Sequence, residues 1–219
     1  MIYLPVAHAD ASYVIPLEGG RWVSNVIPVH VSGGTVWQQN QALQAMKLWN
    51  QAQLWFNDKY FPNSSGYTFE PGDASAPVQV TMLNSSIIIE GVLGWTDYRL
   101  ENGIIKSAKV GIAAAYPEQV VLVLSAHELG HVLGLGDDVL CCKKDLMNAS
   151  PIVHNVSAIP TTLDLYALHV LATVSTVPRF VWLANQIPYQ SAVMSPSLIN
   201  DFDSCYDGIS ARSERTASD

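Results

Sequence analysis

The sequence predicts an α+β fold, and three observations carry that prediction. Stretches with apolar residues at three- and four-residue steps are interspersed with β-branched and alternating stretches along the chain. Two of the helical stretches open on capping signals, Thr35 with Gln38 and Thr161 with Asp164. A third, rich in valine and leucine, continues into His127-Glu-Leu-Gly-His131 and stops at Gly134.

Taken in order, residues 10–34 are loop-rich, with a strand over Asn25–Val31. Pro28 cannot donate a ladder hydrogen bond, which predicts an edge or irregular strand. Thr35 opens a helix over 36–57 whose stripe is Ala42, Ala45, Met46, Trp49, Ala52 and Phe56. Trp49 is assigned to the core rather than to a sugar platform with Trp37 and Trp55. Residues 62–77, rich in Pro, Gly, Ser and Asp, read as a loop, and Val78–Leu83 as a strand. Ser85–Tyr98 carries a β-branched run. Asn102-Gly103 then predicts a tight turn into a returning strand, Ile104–Ala113. Pro117 and Glu118 suit the first turn of the second helix, where a missing N–H is harmless and a negative charge is favoured. Ser150–Pro160 reads as a loop, Thr161 caps a third helix to about residue 174, and residues 178–204 are mixed.

The 219 residues suffice for one domain with extensions, and 49% hydrophobic content supports a sizeable core. A net charge of −8 argues against nucleic acid as principal partner, because phosphate binding needs clustered Lys and Arg. No apolar run reaches membrane-spanning length. Cys141, Cys142 and Cys205 make no zinc-finger spacing; one disulfide from the adjacent pair to Cys205 suits an oxidising compartment and leaves one thiol unexplained. Ala7-His8-Ala9 has the pattern of a signal-peptidase site without the basic start and apolar centre of a complete signal peptide.

The chemistry concentrates in His127–Asp137. Two histidines four residues apart share one helix face, so both imidazoles reach one ion, and zinc accepts imidazole nitrogen at roughly 2.0–2.1 Å. Glu128 is placed to take a proton from a water on that metal. Gly134 marks a helix end in the left-handed conformation, and the returning chain offers Asp137 as third ligand. By ordinary residue frequencies His-Glu-x-x-His arises by chance in such a chain about once in a few hundred cases, and the Gly and Asp offsets make it rarer still.

The run His127-Glu128-Leu-Gly-His131-Val-Leu-Gly134-Leu-Gly-Asp137 resembles the zinc signature of the metzincin metallopeptidases, which usually end it with a third histidine. The aspartate is similar to the snapalysin variant, while other parts resemble a matrixin catalytic domain. Asp145-Leu146-Met147-Asn148 is similar to the metzincin methionine turn. The resemblance spans about residues 22–175. It implies a twisted mixed sheet of about five strands, three main helices and an active-site helix under the sheet. It also implies Met147 as a structural methionine, and residues 92–96, with Val92, Leu93, Gly94 and Trp95, as a strand that pairs with an extended polypeptide substrate. Residues 1–21 then form an N-terminal extension, 176–207 a C-terminal extension packing on the domain, and 208–219 a polar tail read as disordered.

Asp138 rivals Asp137, but the family spacing favours Asp137, and Asp138 is expected to face solvent or bind a neighbouring N–H. His8, His30, His154 and His169 have no partner spacing and are assigned surface or packing roles. Tyr116 and Tyr166 stay open as helpers for the reaction intermediate. An inactive zinc-binding or peptide-binding protein of the same fold is the alternative function, against which the intact Glu128 speaks. Ser125 lacks a Gly-x-Ser-x-Gly setting and Cys141-Cys142 an oriented base, which disfavours a serine or cysteine hydrolase. The sequence thus predicts a secreted zinc-dependent endopeptidase, with calcium and oligomeric state left open. A carboxylate beside two imidazoles should make zinc a weaker Lewis acid. Asp137→His is therefore expected to keep the metal and move the acid limb of the activity–pH profile downward; an upward shift counts against this.

Overall fold

The computed structural model describes residues 13–86, 91–139, 144–150 and 156–193. The expectations placed on Ala7-His8-Ala9, Cys141, Cys142, His154, Cys205 and the 208–219 tail lie outside them. In chain order the elements are β1 (Val14–Pro16), β2 (Val26–Gly33), α1 (Val36–Tyr60), β3 (Thr68–Pro71) and β4 (Val78–Leu83). β5 (Gly94–Glu101), β6 (Ile104–Ala113), α2 (Glu118–Val132), α3 (Thr162–Thr173) and β7 (Phe180–Trp182) follow. No helix among the described residues is long and apolar enough to cross a membrane.

The helices start where their caps demand. The Gln38 N–H donates to the Thr35 hydroxyl at 3.3 Å and the Thr35 N–H to the Gln38 side chain at 2.7 Å, satisfying donors that a helix start leaves free. Thr161 and Asp164 close the same reciprocal pair at the head of α3. α1 continues beyond its expected end at residue 57 because Tyr60 and Phe61 join an aromatic cluster with Trp55 and Phe56. The valine-rich run of α2 is helical despite its strand propensity. It is buried nearly throughout, and burial on several sides overrides a local preference.

The five-stranded sheet is mixed, in the order β3-β2-β4-β6-β5. β2, β3, β4 and β6 run parallel, and only β5, folded back by the Asn102-Gly103 turn, is antiparallel. Both turn residues have positive φ, 53° and 72°, as a tight hairpin requires. Helices α1 and α2 pack together; α1 lies on β2, β3 and β4, and α2 on β5 and β6. The fold class expected from the sequence, α+β with a five-stranded mixed sheet and three helices, is the one observed.

Three local expectations are corrected. β2 is not an edge strand, since β3 and β4 flank it. Its Pro28 is tolerated because Asn25 and Val29 turn their carbonyls to β3, leaving Pro28 to face the other side, where β4 pairs only from Val29 onward. Residues 68–71, read as loop, are a strand, because Thr68 and Gly72 donate to those same two carbonyls at 2.7 and 2.8 Å. The segments read as loop-rich or mixed at either end contain β1 and β7, which pair with each other.

Trp49 is fully buried at the α1–α2 contact, and its indole donates to the Ala126 carbonyl at 2.8 Å. Trp49→Ala is expected to lower unfolding free energy by about 3–5 kcal/mol in urea denaturation. A loss below about 1 kcal/mol would show that this contact does not hold the helices together.

Candidate metal centre

α2 ends in a way that builds the site. Leu133 caps it, Gly134 takes φ 99°, the Gly134 N–H donates to His131 O at 2.7 Å and the Leu135 N–H to Gly130 O at 3.2 Å. These are the two bonds of a Schellman turn. A Cβ at Gly134 would lie 2.6 Å from the Gly20 carbonyl, so the position needs glycine for space as well as for conformation. The chain then doubles back, with Leu135 bridged to Leu17 and the Gly136 N–H on the Pro16 carbonyl at 2.9 Å, which delivers Asp137 beneath the two histidines.

Both imidazoles are held by their far nitrogen. A carbonyl can only accept, so Nδ1 of His127 donates to Leu146 O at 2.8 Å and Nδ1 of His131 to Leu135 O at 2.9 Å. That fixes the tautomer and turns each Nε2 inward. The Nε2 atoms stand 3.1 Å apart, and Asp137 Oδ1 lies 3.3 Å from one and 3.6 Å from the other. The point equidistant from these three atoms is about 1.9 Å from each, close to the roughly 2.0–2.1 Å at which imidazole binds zinc. His127, His131 and Asp137 thus form a group that could hold a metal ion. Asp137 is half-exposed, so the group opens to solvent on its side.

The electrostatics match a cation site. Burial disfavours a charged His127, but the hydrogen bond to Asp137 and the negative charge of Glu128 outweigh it, and the imidazole titrates above its ordinary value. Burial likewise opposes ionisation of Asp137, yet the hydrogen bond from His127 and the charge of both histidines hold the carboxyl below its usual range.

Beneath the histidines, Met147 is fully buried, and a Cβ on Gly130 would meet its sulfur at 2.2 Å and Trp49 at 3.0 Å. Residues 144–150 are stapled to the Asp137 segment, since the Asp138 N–H donates to Met147 O at 2.7 Å. Of the two roles expected of Asp138, facing solvent is excluded; the residue is fully buried, because this pairing draws it inward. Asp145 and Asp164 are buried nearby, and both bond Thr161, Asp145 through the threonine hydroxyl and Asp164 through its N–H at 2.8 Å. Burial raises the Asp145 carboxyl to about 6 and, with the Asp145 charge adding to it, raises Asp164 well above the carboxylate range.

A cleft of about 600 Å³ runs past the centre, lined by all four expected substrate-strand residues, Val92, Leu93, Gly94 and Trp95, and by Glu128. β5 forms its wall, and no described strand pairs with the outer edge of β5. Ala113 donates to Leu93 O at 2.8 Å, so by alternation Gly94 and Thr96 turn their backbone groups to that open edge. Trp95 points the opposite way from Gly94 and Thr96, its indole against Gly111.

No family model matches the chain, and no curated protein is significantly similar to it.

Glu18, Thr96 and Tyr98 are among the other residues that line the cleft. The Tyr98 hydroxyl donates to His131 O at 2.9 Å. Tyr116 and Tyr166 are not cleft residues; the first donates to Ser86 O and the second stacks on Phe61. His169 also stacks on Phe61, the packing role expected of it.

The buried acids generate a pH signature. A carboxyl whose folded pKa lies above its unfolded value binds more protons folded than unfolded between the two values, so its contribution to stability falls as pH rises through that window. Asn mimics the protonated acid. As pH rises above the ordinary carboxylate range of about 4, Asp164→Asn is expected to gain stability relative to the parent, read as the difference in denaturation midpoints. A difference that is flat, or runs the other way, refutes the buried protonated pair.

Proposed function

We propose that this protein is a secreted, zinc-dependent endopeptidase acting on extended polypeptides, of the kind its metzincin-like signature implies. One observation carries the reading: His127, His131 and Asp137 converge to metal-binding distances beside Glu128, in a cleft walled by a strand edge to which no described strand pairs. Two neutral imidazoles and one carboxylate are a donor set suited to zinc, with a coordination position left over. Bound there, zinc supplies Lewis acidity toward a carbonyl and makes water more acidic.

The rest is the work of the chain's own groups. Leu146 O and Leu135 O keep the imidazoles turned inward. Glu128 takes a proton from the water that attacks the scissile carbonyl carbon. It delivers that proton to the amine nitrogen as the carbon–nitrogen bond breaks. Gly94 and Thr96 offer backbone N–H and C=O groups on the open edge of β5, to which a substrate strand can add, its alternate side chains entering the cleft. Secretion is proposed from the family resemblance and from the Ala7-His8-Ala9 pattern.

The deciding experiment incubates the protein with an unfolded protein substrate, with and without chelator, beside Glu128→Ala. Cleavage is expected to vanish with chelator, return on zinc addition, and fall at least about 10²-fold in Glu128→Ala while zinc content is retained. Stoichiometric zinc with no cleavage by the parent protein would instead identify a zinc-binding or peptide-binding protein.

A further inference from the structure

The general base has a seat of its own in β5. Residues 94 and 96 share the strand face that meets α2. A Cβ at Gly94 would lie 2.2 Å from Glu128 Oε1 and 2.8 Å from its Cδ, so the carboxylate occupies the volume that any other residue's side chain would take. Two residues on, the Thr96 hydroxyl is 2.7 Å from Glu128 Oε2 and 3.3 Å from the Glu128 carbonyl. One hydroxyl proton serves one acceptor well, and the shorter contact to a charged oxygen is the stronger. Glu128 is only 4% exposed, and no lysine or arginine is among the described residues lining the cleft. Oε1 accepts no hydrogen bond from the described residues.

We propose that Thr96 is the positioning residue of the Glu128 base: its hydroxyl holds Oε2 and so keeps the carboxylate, Oε1 foremost, in the space left by Gly94, leaving Oε1 as the oxygen that receives the proton. This rests on the peptidase reading above. A flexible glutamate has several rotamers, and only one puts the carboxylate where a proton can pass between water and a leaving amine. A donor fixed on a sheet strand selects that rotamer before substrate arrives. The residue acts through Glu128 and touches no reacting atom. It also couples the two walls of the site, since the strand whose edge is proposed to take substrate is the strand that aims the base.

The test compares zinc-loaded parent protein, Thr96→Val and Thr96→Ser in two readouts. In crystal structures without substrate, the Glu128 carboxylate is expected to keep its place against Gly94 in the parent and Thr96→Ser, and to leave it in Thr96→Val. In steady-state cleavage of a quenched fluorescent peptide that the parent cuts, Thr96→Val is expected to lose about ten- to a hundredfold in kcat, with KM within about twofold. Thr96→Ser is expected to stay within about threefold of the parent in kcat. Zinc stoichiometry and Tm serve as folding controls, and Thr96→Ala carries the same comparison should Thr96→Val not fold. An unmoved carboxylate in Thr96→Val overturns the proposal, as does an unchanged kcat. A Thr96→Ser loss as deep as that of Thr96→Val also overturns it, because packing rather than the hydroxyl would then be at work. A parent protein that binds zinc and cleaves nothing defeats the peptidase reading instead, and the position of the carboxylate in Thr96→Val then decides the contact alone.

Discussion

Two hydrogen bonds from imidazole Nδ1 to backbone carbonyls govern this molecule. His127 reaches Leu146 and His131 reaches Leu135, so neither ring can turn without breaking a buried contact. Each bond is worth only about 1 kcal/mol net, but it chooses which nitrogen faces the centre, and such outer partners commonly change metal affinity by about 10–100-fold. The carbonyls are themselves held. Leu135 is bridged to Leu17, and Leu146 lies in a segment tied through Asp138 to Met147 and through Asp145 to Thr161. Orientation at the centre is thus a property of four chain segments, and the helix that carries the histidines is only one of them.

Close approach is the second constraint. Met147 and Trp49 both lie against Gly130, between the two histidines in sequence, and the Glu128 carboxylate lies against Gly94. A helix bearing chemistry on one face and packing on the others has few positions to spare for bulk. The absence of a side chain at residue 130 lets the methionine and the tryptophan press against the backbone where the ligands need support. Rigid supports are the condition under which three donor atoms stay within a few tenths of an ångström of a common centre.

Features encoded over short sequence distances were legible. Thr35 with Gln38, Thr161 with Asp164, Asn102-Gly103 and the Gly134 stop each depend on residues within a turn of one another, and all took the predicted form. The same holds for His127, His131 and Asp137, whose convergence follows from helix period and turn geometry. What depends on distant partners was not legible. Thr68–Pro71 lies in a stretch rich in Pro, Gly, Ser and Asp and becomes a strand because Asn25 and Val29 present carbonyls to it. Which of its two expected roles Asp138 takes depends on its backbone pairing with the methionine segment, which buries it and excludes the solvent-facing one. Glu18 and Tyr98 reach the cleft from segments with no spacing relation to the motif, and the contact of Thr96 with Glu128 had one available hint in Gly94, whose missing side chain leaves room beside the strand.

The pairing of β1 with β7 joins Val14 to Trp182, and β1 leads directly into the residues that clasp the chain on either side of Leu135. The loop so closed spans most of the described chain, and closing it costs entropy that local contacts do not repay early. A polypeptide emerging from the ribosome can therefore form its long helix and its parallel strands well before this clasp is secured. The backbone that leads to the acidic ligand is braced through β1, so the centre is fully braced only once β7 is in place.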